Sequence, residues 1–255
     1  MLERFHSEKR FNGVVLVATN GTIDFLGSVG TADRALGSPL TPTSRFRIAS
    51  MSKVFTAVLV MKLVDEGKVR LDVPIREYIP GYRGPGRDSV TIHHLLTYSS
   101  GIEPALDALG MAPYQSPTSL DAFIEAYGSG PLVHTPGSRS VYGNMGYFGA
   151  GALYSTARDL LAFDQALFTH RLLSRAATEQ LLTLHPELGY TAYGLWGSTG
   201  WGTFSEPFYY RTGGIQGSTA NWIRTMETGK TILVLSNTNA TNLFELSEEL
   251  YLVGR

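Results

Sequence analysis

Ser50 and Lys53 stand three residues apart in Ala49-Ser50-Met51-Ser52-Lys53. In a helix that spacing places both side chains on one face, one turn from each other. A serine hydroxyl becomes a competent nucleophile when a neighbouring base takes its proton. A lysine amine is such a base once burial or a nearby cation depresses its pKa. A helix start also leaves the serine's own N–H unpaired and sets the positive end of the macrodipole beneath it, and both favour developing negative charge. Serine is equally a common N-cap, and lysine on a helix usually points to water, so the pair alone decides nothing. Two further stretches add to it. Tyr142-Gly143-Asn144 follows Pro136-Gly137 in a loop, and a phenol flanked by cations ionises near neutral pH and serves as a base. Arg211-Thr212-Gly213-Gly214 ends a run of strand composition. Paired glycines there let a ligand or another chain approach closely, with a backbone N–H facing a carbonyl oxygen. Taken singly, each has a blander reading: Tyr142 is one of 13 tyrosines that pack, and the glycines mark a bulge.

The elements that must position these residues follow from periodicity and turn chemistry. The first ten residues suggest a short helix. Gly13–Thr19 is apolar and β-branched, Asn20-Gly21 is a two-residue hairpin signal, and Thr22–Val29 returns as a second strand. Residues 30–44, rich in Gly, Pro, Ser and Thr, form a loop. Met51–Glu66 lacks Pro and Gly and carries an apolar stripe, with Gly67 as its C′ residue. Further helices are expected at Ile92–Tyr98 behind Thr91, at Leu120–Tyr127, at Thr156–Leu167 and at Arg175–Leu184 behind Ser174. Strand composition returns at Tyr193–Gly197, Phe208–Thr212, Ala220–Met226 and Thr231–Ser236, and residues 241–253 repeat leucines at helical spacing. Strands at both ends therefore flank a helical middle. If they pair, the fold class is α+β: one antiparallel sheet with N- and C-terminal helices, plus an inserted, mostly helical lobe.

Composition narrows the function. A chain of 255 residues buries a proper core without disulfides or metals. Its 21 basic and 22 acidic residues nearly cancel, which argues against a nucleic-acid partner. No cysteine is present, so disulfides, thiolate metal sites and cysteine nucleophiles are excluded together. No metal site is expected: His93 and His94 are adjacent and point to different faces, and no HExxH pattern occurs. No G-x-S-x-G elbow occurs either. No apolar run is long enough to span a membrane, and Met1–Arg10 lacks an apolar signal-peptide core. The expected location is cytoplasmic, or periplasmic or extracellular if a leader has been removed. The aromatics Tyr193, Trp196, Trp201, Phe204, Phe208 and Tyr209 read as core and cleft wall.

In chain order, Phe46-Arg-Ile-Ala-Ser50-Met-Ser-Lys53, His94-Leu-Leu-Thr-Tyr-Ser-Ser-Gly101-Ile102, Tyr142-Gly-Asn144 and Arg211-Thr-Gly-Gly214 resemble the serine β-lactamase and penicillin-binding protein superfamily. The branch is that of class C β-lactamases, D-alanyl-D-alanine carboxypeptidases and related esterases. Tyr154–Leu160 and Leu235–Thr238 are similar to the same branch, so the resemblance runs along almost the whole chain. It implies that Ser50 attacks a carbonyl and forms an acyl-enzyme, that Lys53 shares or takes its proton, and that Tyr142 acts as base or proton shuttle. It implies that Asn144 holds the substrate amide and orients Lys53. Arg211, Thr212, Gly213 and Gly214 would bind substrate, with the N–H groups of Ser50 and Gly214 as the oxyanion hole. No cofactor is implied.

Two departures from the pattern matter. The third motif of this branch usually begins with Lys or His, and here it begins with Arg211. Arginine still depresses a neighbouring tyrosine's pKa or grips a carboxylate in a bidentate pair, but with a pKa above about 12 it cannot shuttle a proton. The long segment that follows Tyr-x-Asn in relatives is missing after Tyr147, which implies a thinner, more open cleft wall and apolar surface that a second subunit would cover. The expected division is residues 1–49 with 185–255 as the sheet lobe and 50–184 as the shortened helical lobe. The expected function is hydrolysis of an ester, peptide or β-lactam through a Ser50 acyl-enzyme, with esterase, peptidase and β-lactamase unresolved. The alternative is a catalytically silent scaffold or ligand-binding protein that kept the fold.

Overall fold

The computed structural model describes residues 1–33, 35–103, 119–142 and 150–252. In chain order these form α1 (Leu2–Lys9), β1 (Gly13–Thr19), β2 (Thr22–Val29), the short β3 (Thr31–Asp33), β4 (Ser38–Pro39) and β5 (Phe46–Arg47), then α2 (Ser52–Asp65), α3 (Ile92–Leu96) and α4 (Leu120–Tyr127). There follow β6 (Tyr154–Ser155), α5 (Ala157–Phe168), α6 (Arg175–Leu182), β7 (Trp196–Ser198), β8 (Phe208–Ile215), β9 (Ser218–Thr225), β10 (Lys230–Ser236) and α7 (Leu243–Leu252). The chain divides into two compact units: Met1–Phe55 with Gly151–Leu172 and Leu195–Arg255, and Thr56–Ala150 with Leu173–Gly194.

The first unit is built on a mixed α/β plan around one antiparallel sheet of order β2-β1-β10-β9-β8-β7. The two β segments of the sequence do pair, with Val15 opposite Val234 and Val17 opposite Ile232. Asn20 and Gly21 take φ of 48° and 85°, as a tight hairpin turn requires. Strands β1 and β10 are buried almost throughout, which is why they read as unbroken apolar runs instead of alternating ones. Val15, Val17, Ile232 and Val234 share a core with Phe5 of α1 and with Leu243, Leu246 and Leu250 of α7. The residues between them in sequence face the other side of the sheet. There α5 packs on β1 and β10.

The division differs from the expected one: residues 50–55 fall in the sheet unit and residues 185–194 in the second unit. Residues 151–172, expected in the helical lobe, belong to the sheet unit. The reason is Asp164 on α5, which is fully buried and whose carboxylate accepts from Trp222 Nε1 (2.8 Å), Arg224 Nη1 (2.9 Å) and Thr231 Oγ1 (2.8 Å). Trp222 and Arg224 lie on β9 and Thr231 on β10, so one carboxylate pins the helix across two strands. Burial pushes its pKa up, against the pull of Arg224 and of the neutral donors.

The second unit holds the rest of α2 and a small core of Ile75, Tyr82 and Val90 with Ile92, Ile102 and Leu132. Thr91 caps α3 through His94 N, and the His94 ring accepts from Thr91 N in return. His93 turns instead to the Tyr193 hydroxyl, 2.8 Å away, and lies edge-on to His185. Burial, with His185 next, holds the His93 pKa below its ordinary value. Tyr193, expected to begin a strand, is buried in this unit, with its pKa pushed up to about 12 by burial; β7 starts only at Trp196. Ser174 caps α6 and donates to Asp65 at the end of α2 (2.6 Å). The expected shortening after Tyr147 falls on 143–149, outside the described residues. Among the described residues no helix is long and apolar enough to cross a membrane.

Asp164→Ala leaves Arg224 without its buried counter-charge, and it should cost about 3–5 kcal/mol of unfolding free energy. Urea denaturation of the two proteins measures this; a change well under 1 kcal/mol would show that α5 is held by apolar packing alone.

Candidate active site

Ser50 lies just before the helix. A 3-10 turn, Ala49–Met51, carries it, and α2 proper begins at Ser52. The cause is the backbone at Ala49, whose φ of 45° is left-handed and cannot extend the helix backwards. The turn closes through Met51 N–H on the Ile48 carbonyl (3.1 Å), and Ile48 N–H donates to Leu153 (3.0 Å). Such a conformation costs a non-glycine residue about 1–3 kcal/mol and persists only where the surroundings over-determine it. Here the surroundings are β5, paired with β6, and the strand β8.

Lys53, in the first turn of α2, donates from Nζ to Ser50 Oγ at 3.1 Å, and both residues are half-buried. This is the pairing the S-x-x-K spacing predicts. Arg211 reaches the same turn from β8. Its Nε donates to the Ser50 carbonyl oxygen at 3.0 Å, its guanidinium carbon sits 4.5 Å from the centre of the Trp196 ring, and the residue is fully buried. Gly213, two residues along on the same face of β8, is where the strand touches the turn. A Cβ there would lie 2.1 Å from the Ile48 carbonyl oxygen and 3.2 Å from Ser50 N. Thr212 and Gly214 alternate to the other face and are exposed, and a Cβ on Gly214 would meet nothing within 4 Å.

The structure thus brings Ser50, Lys53, Arg211 and Gly213 together within the first unit. Tyr142 belongs to the second unit. There Val141 N–H bonds the Tyr98 carbonyl (2.8 Å), and the Tyr142 ring, about a third exposed, stands edge-on to Tyr98 at 5.1 Å. Asn144 lies outside the described residues. Trp196 was legible only as one of a cluster of aromatics near the third motif. Its role as the platform under Arg211 needs the β7–β8 ladder, in which Trp196 faces Tyr210. A cavity of about 280 Å³ in the same unit is lined by Arg45, Phe46, Arg47, Gly217, Ser218 and Asn237, and does not include Ser50 or Lys53.

The family pattern described as Beta-lactamase matches residues 1–149, more than half of the chain. This chain belongs to that family. Among its relatives, Esterase EstB of Burkholderia gladioli is 34% identical over 181 residues, a match covering 65% of this chain and 46% of the esterase. The chain therefore spans about half the length of that relative. Among solved structures, a penicillin-binding protein from Bacillus halodurans superposes with a TM-score of 0.83 at 23% identity, covering 98% of this chain and 99% of that one. An octameric penicillin-binding protein homologue from Pyrococcus abyssi gives a TM-score of 0.81 at 20% identity, covering 98% and 75%. At those identities the likeness is one of fold. The family match itself includes Ser50, Lys53 and Tyr142 but ends before Arg211.

The contact at Gly213 carries a prediction. Gly213→Ala must push the Ser50 turn away from β8, at about 1–3 kcal/mol of stability, the usual cost of overpacking. Gly214→Ala, with open space and no positive φ, should stay within about 0.5 kcal/mol. Equal urea midpoints for the two variants would overturn the assignment of Gly213 as the point of contact.

Proposed function

We propose that the protein is a serine acyl hydrolase with Ser50 as nucleophile and Lys53 as its activator. The observation that carries this reading is the 3.1 Å bond between Lys53 Nζ and Ser50 Oγ at the start of α2. Membership of the Beta-lactamase family and the similarity to an esterase support it. In the proposed reaction Lys53, as the free amine, takes the Ser50 proton while Oγ bonds to the acyl carbon. The bond from that carbon to the leaving oxygen or nitrogen breaks, and the proton passes to the leaving group. Water then attacks the acyl-enzyme and releases the acid, which restores the Ser50 hydroxyl. The positive dipole end of α2 lies next to Ser50 in the chain, and it would favour negative charge developing there. By the family resemblance Tyr142 would transfer the proton and Asn144 would orient the substrate. Arg211 is not placed in the proton path, because a guanidinium does not give up its proton.

The test is hydrolysis of a short-chain p-nitrophenyl ester together with labelling by a fluorophosphonate. Ser50→Ala should lose both, with turnover down by at least about a hundredfold. Lys53→Ala should lose the label while it folds normally by circular dichroism. Equal rates with and without Ser50, or no turnover in either, would replace this reading with that of a silent scaffold.

We also propose that the chain assembles into a homo-oligomer, supported by the octameric homologue from Pyrococcus abyssi. Light scattering should give a mass that is a multiple of 27.8 kDa; a single-chain mass at micromolar concentration would reject it.

A further inference from the structure

We infer that the Ser50 site takes neutral acyl donors and discriminates against those that carry a carboxylate beside the scissile bond, because Arg211 is committed to the protein's own main chain. This rests on the reading of Ser50 as the nucleophile and names the substrate class of that same site.

A guanidinium recognises a carboxylate through two parallel N–H groups on one edge, and that edge must face the ligand. Arg211 does not present itself in this way. Its Nε is donated to the Ser50 carbonyl at 3.0 Å, its face lies over Trp196 at 4.5 Å, and no part of the residue is exposed. A substrate carboxylate would have to break the bond to Ser50 O to claim the Nε edge. That would take from the Ser50 carbonyl its charged donor, leaving it the Ser52 N–H alone among the donors named, and shift the turn that carries the nucleophile. The second cation of the cluster, Lys53, is turned to Ser50 Oγ. One cation thus holds the nucleophile's hydroxyl and the other its carbonyl. A carboxylate brought close would be desolvated against groups already paired, which is a repulsive element in specificity as much as a missing attraction.

The same geometry makes Arg211 a positioning residue. The Ser50 carbonyl belongs to the 3-10 turn that the left-handed backbone at Ala49 starts. The bond from Arg211 fixes the plane of the Ser50–Met51 peptide and, through it, the direction of the hydroxyl. A lysine at 211 would supply charge but neither the fork nor the flat face for Trp196.

The experiment compares two aryl esters of equal shape, 3-carbamoylphenyl butanoate and 3-carboxyphenyl butanoate. Release of the phenol is followed by chromatography, and each rate is normalised to hydroxide-catalysed hydrolysis. The wild-type protein should favour the neutral ester in kcat/KM by at least about tenfold, the factor expected when an ionic group meets no partner. On the neutral ester Arg211→Lys should lower kcat by roughly ten- to a hundredfold with KM little changed, as expected for loss of one charge-assisted hydrogen bond. The same variant should narrow the preference between the two esters. Equal or better use of the carboxylate ester, with a KM that rises with salt and that Arg211→Lys weakens selectively, would overturn the inference and make Arg211 a carboxylate receptor. The two wild-type rates decide the matter even if the variant fails to fold. Absence of fluorophosphonate labelling at Ser50 would instead sink the underlying reading, and this inference with it.

Discussion

The turn that carries Ser50 rests on β8 with no side chain between the two backbones, and the rest of the site depends on that close approach. Gly213 makes it sterically possible, since any Cβ there would overlap the Ile48 carbonyl. Arg211 makes it polar and directional by donating to the Ser50 carbonyl two residues earlier on the same strand. The left-handed backbone at Ala49 is tolerated because both flanks are tied, one through β5 and β6 and the other through α2. A serine held by its own main chain has its hydroxyl direction set in advance. Such pre-organisation is the form of positioning that contributes most to acyl transfer.

The remainder of the first unit keeps β8 where this contact can form. Strand β8 is aligned by eight residue pairs with β9, which is aligned in turn by β10 and, through it, by β1 from the far end of the chain. Helix α5 is pinned across β9 and β10 by the buried carboxylate of Asp164. Its Phe163 ring stacks on Phe55 of α2 at 3.9 Å. The helix that begins beside Ser50 and the sheet that supports it are thus both fastened to α5. A buried ion pair of this kind is costly to half-remove and contributes more to registering two elements than to net stability.

The exchange of a motif lysine or histidine for Arg211 changes more than a pKa. A lysine ends in a point charge that is free to turn between partners, whereas a guanidinium combines a flat face with a rigid fork. Trp196 supplies the surface that the flat face needs, and the Ser50 carbonyl accepts from Nε. Arg211, expected to bind substrate, thus also donates to the main chain of Ser50.

By itself the sequence determined the local elements and the closeness of the Ser50–Lys53 pair at their junction. The Asn20-Gly21 turn, the caps at Thr91 and Ser174 and the apolar runs of β1 and β10 are short-range consequences of backbone sterics and burial, so composition and spacing reveal them. The Ser50–Lys53 contact is of the same kind, because one helical turn fixes it. Only the tertiary structure decided what Arg211 does, that Gly213 and not Gly214 is the point of contact, and that residues 151–172 side with the sheet. Each of these depends on groups far apart in the chain: a carbonyl 161 residues from the guanidinium that grips it, or a carboxylate shared by two strands. Main-chain atoms carry no residue-specific signal, so a partner that is a carbonyl cannot be read from a string of side chains. It becomes visible only when the strand and the turn are brought within hydrogen-bond distance.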